Sequence, residues 1–311
     1  MAIDEASFER LSQHIGMFRH STNIGVILSG GKIFLIDSGP SKEDGKRAEE
    51  ALSSLFPGAK IAAVIHTHSH ADHCSGSLYL KSIPGVQFWA SAQSARIMEI
   101  PSAVPSLYCG GTAVTEFDDP QFTLPEPVRT DRITGDEEAD LEDVTLQFIS
   151  LPGHFFGQTG ILARDKKSGT RALFAGDSLF GAELLSRTWI PFMISQTEFR
   201  NSVRKIESVQ TDAYIPGHGS RLDSESIHAC AEMNILVTYE FESLILKIIG
   251  TGLRRTEDIL KDIADYAGIR LKVIPFYLIG TTLRSYLSCM EHEGKVSCEI
   301  KENKLIWKRR I

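Results

Sequence analysis

Four of the chain's ten histidines, His66, His68, His70 and His73, fall inside eight residues, with Asp72 among them. Imidazole nitrogen and carboxylate oxygen are donors that zinc and similar divalent ions accept. The cluster follows IAAVI at 61–65, a run apolar at every position, which reads as a strand covered on both faces. Near the end of a strand, residues two apart point the same way, so His68 and His70 can approach one ion together. Asp72 and His73, past the turn, are free to face a second. An inert histidine-rich loop is the bland alternative. Three fragments weigh against it, each closing a strand-like run: Pro152-Gly153-His154, Gly176-Asp177-Ser178 and Pro216-Gly217-His218.

Donors this far apart in sequence need a sheet to carry them to one place. NIGVILSGGKIFLIDSG reads as a hairpin about Gly30-Gly31 that ends at Asp37-Ser38-Gly39. Residues 41–56 place Ala48, Leu52 and Leu55 on one helical face, and strand–helix alternation continues through a strand at 86–90 and a helix stopping before Pro101. From Pro101 to about Val128, prolines and glycines break any period, which predicts a long irregular loop of the kind that often serves as a lid. Strands follow near 144–150, 159–164 and 171–175, then a helix over 196–208 and a strand before Pro216. Beyond about residue 230 the texture turns helical, with one helix ending before Gly250, a second from Thr256 to Ala267 and a third from Thr281 to Glu293. Leu283, Tyr286, Leu287 and Met290 form an apolar stripe on the third, and a hairpin about Lys301-Glu302-Asn303 closes the chain. The expected organisation is a catalytic domain over 1–229 and a winged-helix-like helical domain over 230–311.

Composition narrows the partners. With 311 residues, 42% hydrophobic and 23% charged, the chain can bury a large core plus a small appendage. No run approaches the roughly 18 apolar residues of a membrane span, and the opening MAIDEASFERLSQHIG is too acidic and polar for a secretory signal. Five scattered cysteines, odd in number, read as reduced thiols, so a cytoplasmic protein without membrane contact is expected. A net charge of -7 gives no overall attraction to phosphate backbones, so nucleic acid is not the default partner and a small-molecule substrate is.

THSHADH, PGH, GDSLF and PGHG resemble the successive ligand motifs of the metallo-β-lactamase superfamily, over residues 20 to 220 or so. The resemblance implies an α/β fold, an αββα four-layer sandwich with two metal ions at one edge. His68, His70 and His154 would hold the first ion, Asp72, His73 and His218 the second, and Asp177 would bridge them. Zinc is the first expectation, and iron or manganese also suits mixed imidazole and carboxylate donors. Two ions about 3.5–4 Å apart bring a shared water to a pKa near 7, so the expected nucleophile is a metal-bridging hydroxide, with Asp72 relaying the proton. Two departures matter. Cys74-Ser75-Gly76 stands where the family often has two glycines. Asp177 stands where its true β-lactamases commonly have cysteine, which points to the glyoxalase II, lactonase and ribonuclease branches rather than to antibiotic hydrolysis.

Around the ligands, Asp37 and Thr67 are candidate acceptors for the imidazoles' other ring protons, or simple turn formers. His66 reads as structural, and Cys74 and Cys109 as buried or incidental thiols. Tyr108 in the 101–128 loop, and Arg187 and Trp189 between Phe180 and Phe192, are the candidate substrate contacts. In the C-terminal module, Arg284, Lys304, Lys308, Arg309 and Arg310 interleave with Glu291, Glu293, Glu299 and Glu302, leaving no clean basic face for DNA. Leu283, Tyr286 and Leu287 should instead pack against the rest of the chain or against a second subunit in a homodimer. The expected activity is hydrolysis of a small-molecule ester, thioester or lactone. A phosphodiesterase or endoribonuclease using the same dinuclear site is the alternative, and a non-enzymatic binding protein is a third class that usually loses ligands.

Overall fold

A computed structural model describes residues 3–188 and 191–310. Its first sheet runs in chain order through β1 (Phe8–Arg10), β2 (Ile15–Phe18), β3 (Ile24–Ser29), β4 (Lys32–Ile36), β5 (Lys60–Ile65), β6 (Gln87–Ser91) and β7 (Arg132–Thr134). The β3–β4 hairpin turns at Gly30 and Gly31, with φ of 57° and 68°, the left-handed geometry that a two-residue turn of this kind demands. From β4 to β7 the pairing is parallel. The crossovers carry α1 (Lys42–Leu55), the short α2 (Ala71–Cys74) and α3 (Ser77–Leu80), and α4 (Ala92–Glu99). The second sheet contains β8 (Glu138–Asp140), β9 (Val144–Ser150), β10 (Thr159–Asp165), β11 (Arg171–Gly176) and β12 (Ala213–Pro216), in the reverse of chain order.

Three apolar interfaces make the four layers. Between the sheets lie Met17, Ile27, Phe34, Ile65, Phe148 and Phe174. Under α1, α3 and α4, on the outer face of the first sheet, lie Leu35, Leu52, Val64, Leu80 and Met98. β5 therefore buries both faces, Ala63 and Ile65 inward and Ile61 and Val64 outward, as its unbroken apolar run predicts. On the outer face of the second sheet, Leu173, Ala175 and Tyr214 meet Ile206 and Ile227. This is the expected αββα sandwich.

The 101–128 segment is more regular than expected. It forms α5 (Ala103–Cys109) and a 3-10 turn at Thr115–Asp118. Pro105 misled the sequence reading, since it sits in the first turn of α5, where a missing N–H costs no intrahelical bond. α6 (Ala182–Arg187) and α7 (Gln196–Ser208) follow, and then α8 (Ile227–Ile249), α9 (Thr256–Tyr266) and α10 (Val273–His292). The third C-terminal helix thus starts at Val273 rather than Thr281, again with a proline, Pro275, tolerated in its first turn. β13 (Arg254–Arg255), β14 (Val296–Lys301) and β15 (Lys304–Arg309) form a small sheet whose final hairpin turns at Glu302 and Asn303, both with positive φ.

The expected boundary between 229 and 230 falls inside α8, whose first turns cover the second sheet while the remainder enters a separate core. In that core Leu283, Tyr286, Leu287 and Met290 pack with Phe199 and Val203 of α7 and Phe241 of α8. The apolar stripe of α10 thus faces the chain's own sandwich. A buried ion pair crosses the same seam: Arg200 donates to Glu242 at 2.8 Å and to Thr238 at 2.7 Å. No described helix is long and apolar enough to cross a membrane.

Candidate metal centre

The candidate donors leave the carboxyl ends of β5, β9, β11 and β12, where turns bring both sheets to one edge. His68 Nε2 and His154 Nε2 each lie 3.0 Å from His70 Nδ1. Beside them, His218 Nε2 is 3.3 Å and His73 Nε2 3.9 Å from Asp72 Oδ2. Asp177 stands between the two groups. Its Oδ2 is 3.4 Å from both His154 Nε2 and His218 Nε2, and its Oδ1 is 3.4 Å from His73 Nε2. All seven expected ligands are thus gathered, in groups able to hold an ion.

Each imidazole is oriented from behind by an oxygen. His73 Nδ1 meets Asp37 Oδ2 at 2.8 Å, His154 Nδ1 the Phe192 carbonyl at 2.8 Å, and His218 Nδ1 the Ser21 carbonyl at 2.5 Å. His68 Nδ1 is 3.0 Å from Thr67 Oγ1, and His70 Nε2 is 3.2 Å from the Tyr108 hydroxyl. Asp37 also accepts the Thr67 amide and hydroxyl, both at 2.8 Å, which leaves Thr67 Oγ1 to accept from His68. With the ring proton on the rear nitrogen, the forward nitrogens of His68, His70 and His154 carry lone pairs. Lone pairs facing one another at about 3 Å repel unless a cation sits among them. Donors spaced 3.0–3.4 Å match the roughly 3.4 Å edge of a tetrahedron drawn about 2.1 Å from an ion. His73 Nε2 and Asp177 Oδ1 are buried with no hydrogen-bond partner, a costly condition that a cation removes. The residues fit divalent metal ions.

Electrostatics divides the donors. Burial, then the neighbouring His154, pushes His70 down to about 3, and burial lowers His68 and His154 as well. Burial acts the same way on His73 and His218, but Asp177 and Asp72 outweigh it and hold them up at about 10 and about 12. Burial would raise Asp72, yet His73 and His218 bring it down to about 2.

Backbone space matters at two turns. A Cβ on Gly217 would stand 2.1 Å from Asp177 Oδ1, and one on Gly153, at φ 128°, would stand 2.3 Å from the Phe199 amide of α7. Only glycine lets these histidine turns close.

The family model described as the metallo-beta-lactamase superfamily matches residues 17–218, which include all seven of these donors. The chain belongs to the metallo-β-lactamase superfamily. Hydroxyacylglutathione hydrolase of Albidiferax ferrireducens is 27% identical over 139 residues, 45% of this chain and 42% of that protein. Atrochrysone carboxyl ACP thioesterase of Aspergillus fumigatus is 25% identical over 205 residues, 65% of this chain and 52% of that protein. The matches span about half the length of these curated relatives. A solved beta-lactamase domain protein from Burkholderia ambifaria has a TM-score of 0.73 at 12% identity, covering 97% of this chain and 95% of that one. That likeness of fold takes in the C-terminal helices as well as the superfamily domain.

Beside the donors of this superfamily site is a cavity of about 190 Å³, lined by His70, Asp72, Tyr108, Phe122, Phe192 and Leu278 among others. Of the three expected substrate contacts, Tyr108 is there. Arg187 is on α6, exposed and paired with Glu183 at 2.8 Å, so the structure does not bring it among the donors. Trp189 lies outside the described residues. The sequence reading missed Phe155, whose ring lies 4.2 Å from that of His70, and Leu278 of α10. Phe155 follows His154 directly and was available as a signal, whereas Leu278 had none. His66 is buried and bonded to Ser77 Oγ at 3.0 Å, in keeping with a structural role. Cys74 is buried, its thiol pushed up by burial and turned to the His68 carbonyl at 3.1 Å.

Proposed function

We propose that the chain is a metal-dependent hydrolase of small-molecule acyl compounds, thioesters first and esters or lactones in the same class. The observation that carries it is the position of Asp177, with one carboxylate oxygen 3.4 Å from an imidazole of each donor group. His68, His70 and His154 would hold one ion, Asp72, His73 and His218 a second, and Asp177 both, with zinc the assignment these donors favour. Such ions supply a water of lowered pKa and polarise the scissile carbonyl. The relatives' names support the acyl reading, one being a hydroxyacylglutathione hydrolase and the other an acyl-carrier-protein thioesterase.

The chain's own groups prepare the step. Asp37, Thr67, Tyr108 and the carbonyls of Ser21 and Phe192 fix which nitrogen of each imidazole faces the centre. Asp72, whose carboxylate lines the cavity, accepts the proton given up by water. Phe122, Phe192 and Leu278 keep bulk water from the acyl group. Water adds to the acyl carbon, the carbon–sulfur bond breaks, and Asp72 passes its proton to the departing sulfur, so that a carboxylic acid and a thiol leave.

The phosphodiesterase alternative draws no support from the C-terminal module, where Arg284 pairs with Glu257, Lys308 with Glu299 and Arg310 with Glu291. We read that module, winged-helix-like in its order of helices and hairpin, as a wall of the site rather than a nucleic-acid reader. Unpaired cysteines support a reducing, cytoplasmic setting. The test is elemental analysis of the purified protein joined to a screen of thioester, ester, lactone and phosphodiester substrates on the same sample. Metal-dependent thioester cleavage is expected. Phosphodiester cleavage lost in Asp72→Ala, with no acyl turnover, would overturn the reading.

A further inference from the structure

The cavity beside the donors is small. Its volume of about 190 Å³ is below the roughly 300–1,000 Å³ of ordinary ligand pockets, so a bound acyl compound has to extend past its walls. Two larger cavities share those walls. One, of about 690 Å³, shares Tyr108, and Thr281, Arg284, Ser285, Ser288 and His292 give it a polar side along α10. The other, of about 560 Å³, shares Phe192 and Leu278, and Ala267, Ile269, Pro275 and Ile279 make it mainly apolar. Arg187, which is not among the donors, lines this second groove.

Resting on the acyl-hydrolase reading, we propose that the groove between the end of α6 and the α9–α10 corner holds the acyl chain of the substrate, and that this acyl chain is apolar and of medium length. Three observations lead there. Phe192 belongs to both cavities, and its carbonyl holds His154, so the groove begins at a residue that already orients the centre. Ala267, Ile269, Pro275, Leu278 and Ile279 are each only partly covered by the fold, leaving apolar surface for a hydrocarbon to cover. The competing groove has the more polar lining, with Thr281, Arg284, Ser285 and Ser288 along α10, which suits a polar thiol arm better than a run of methylenes.

The test compares acetyl and octanoyl N-acetylcysteamine thioesters with the metal-loaded full chain. Octanoyl should be favoured in kcat/KM by roughly ten-fold or more, since each buried methylene contributes to transition-state binding. Ala267→Phe fills the groove and Ile269→Glu charges it. Each should cut the octanoyl-to-acetyl ratio by about five-fold or more, and because the ratio is taken within one preparation, a partly folded sample does not alter it. Calorimetry with octanamide should show binding that both variants weaken. A wild-type ratio near one, or a ratio unchanged in both variants, overturns the groove assignment while leaving the hydrolase reading intact. No turnover of either thioester, with octanamide still bound and displaced by the substitutions, overturns the hydrolase reading but keeps the groove. Neither turnover nor binding removes both.

Discussion

The two halves of the donor set are braced by different parts of the molecule. His73 and His218 lean on the sandwich, through Asp37 at the end of β4 and the Ser21 carbonyl before β3. His68 takes Thr67, also bound to Asp37, but His70 and His154 lean outward, on the Tyr108 hydroxyl of α5 and the carbonyl of Phe192. Phe192 is held in turn by its neighbours, for the Met193 amide reaches Thr282 of α10 at 3.4 Å and the Tyr286 hydroxyl reaches the Met193 sulfur at 3.5 Å. One half is therefore set by the sheet core and the other by elements that the C-terminal module supports. The module is part of the site's architecture even though none of the seven donors belongs to it.

The sharpest way to break this comparison is to remove the group common to both halves. Asp177→Ala should lower turnover by roughly a thousand-fold and reduce bound metal measured by elemental analysis, because it strips both groups of an anionic donor. Full activity in this variant would end the bridging role. Next comes the seam behind the module. Arg200→Leu strands Glu242 in a buried position and should cost about 3–5 kcal/mol in urea unfolding, although Lys295 also contacts Glu242 and softens the loss. A double Arg200→Leu, Glu242→Leu variant should recover much of it, and a double variant no better than the single would show that the loss comes from Arg200's contacts with Thr238 and the Tyr239 ring rather than from a stranded carboxylate.

Asp37→Ala removes the oxygen behind His73 and one partner of Thr67, and should weaken metal affinity about 10–100-fold in competition with a chromophoric chelator. Unchanged metal affinity in Asp37→Ala would show that neither His73 nor, through Thr67, His68 depends on this carboxylate. The smallest effect belongs to Tyr108→Phe. It deletes a hydroxyl 3.2 Å from His70 while keeping the ring that packs against Phe192, so kcat should fall by less than about ten-fold with metal content unchanged. A loss of metal equal to that of Asp37→Ala would mean the outer brace is as strong as the inner one.

Much of the site was legible because its donors are chemically unusual. Imidazoles at two-residue spacing after a fully apolar strand, and His or Asp beside glycine at three later strand ends, have few other uses. The elements around them were harder to read. Pro105 and Pro275 hid α5 and the start of α10, since a proline in a first helical turn looks in sequence like one that ends a helix. β7 and β8, three residues each, are too short to show a period. Arg187 and Leu278 illustrate the same limit at the pocket. A cationic residue near an expected site turned out to pair with Glu183, and an ordinary helical leucine turned out to line the cavity.

The amino-acid order by itself determined which atoms could bind a cation and which strands would carry them, because both depend on residue type and local period. Only the tertiary structure decided which nitrogen of each ring faces the centre and where a substrate can lie. Those choices rest on the carbonyls of Ser21 and Phe192 and on apolar walls from distant helices, and a backbone carbonyl or a leucine carries no mark in sequence of what will come to rest against it.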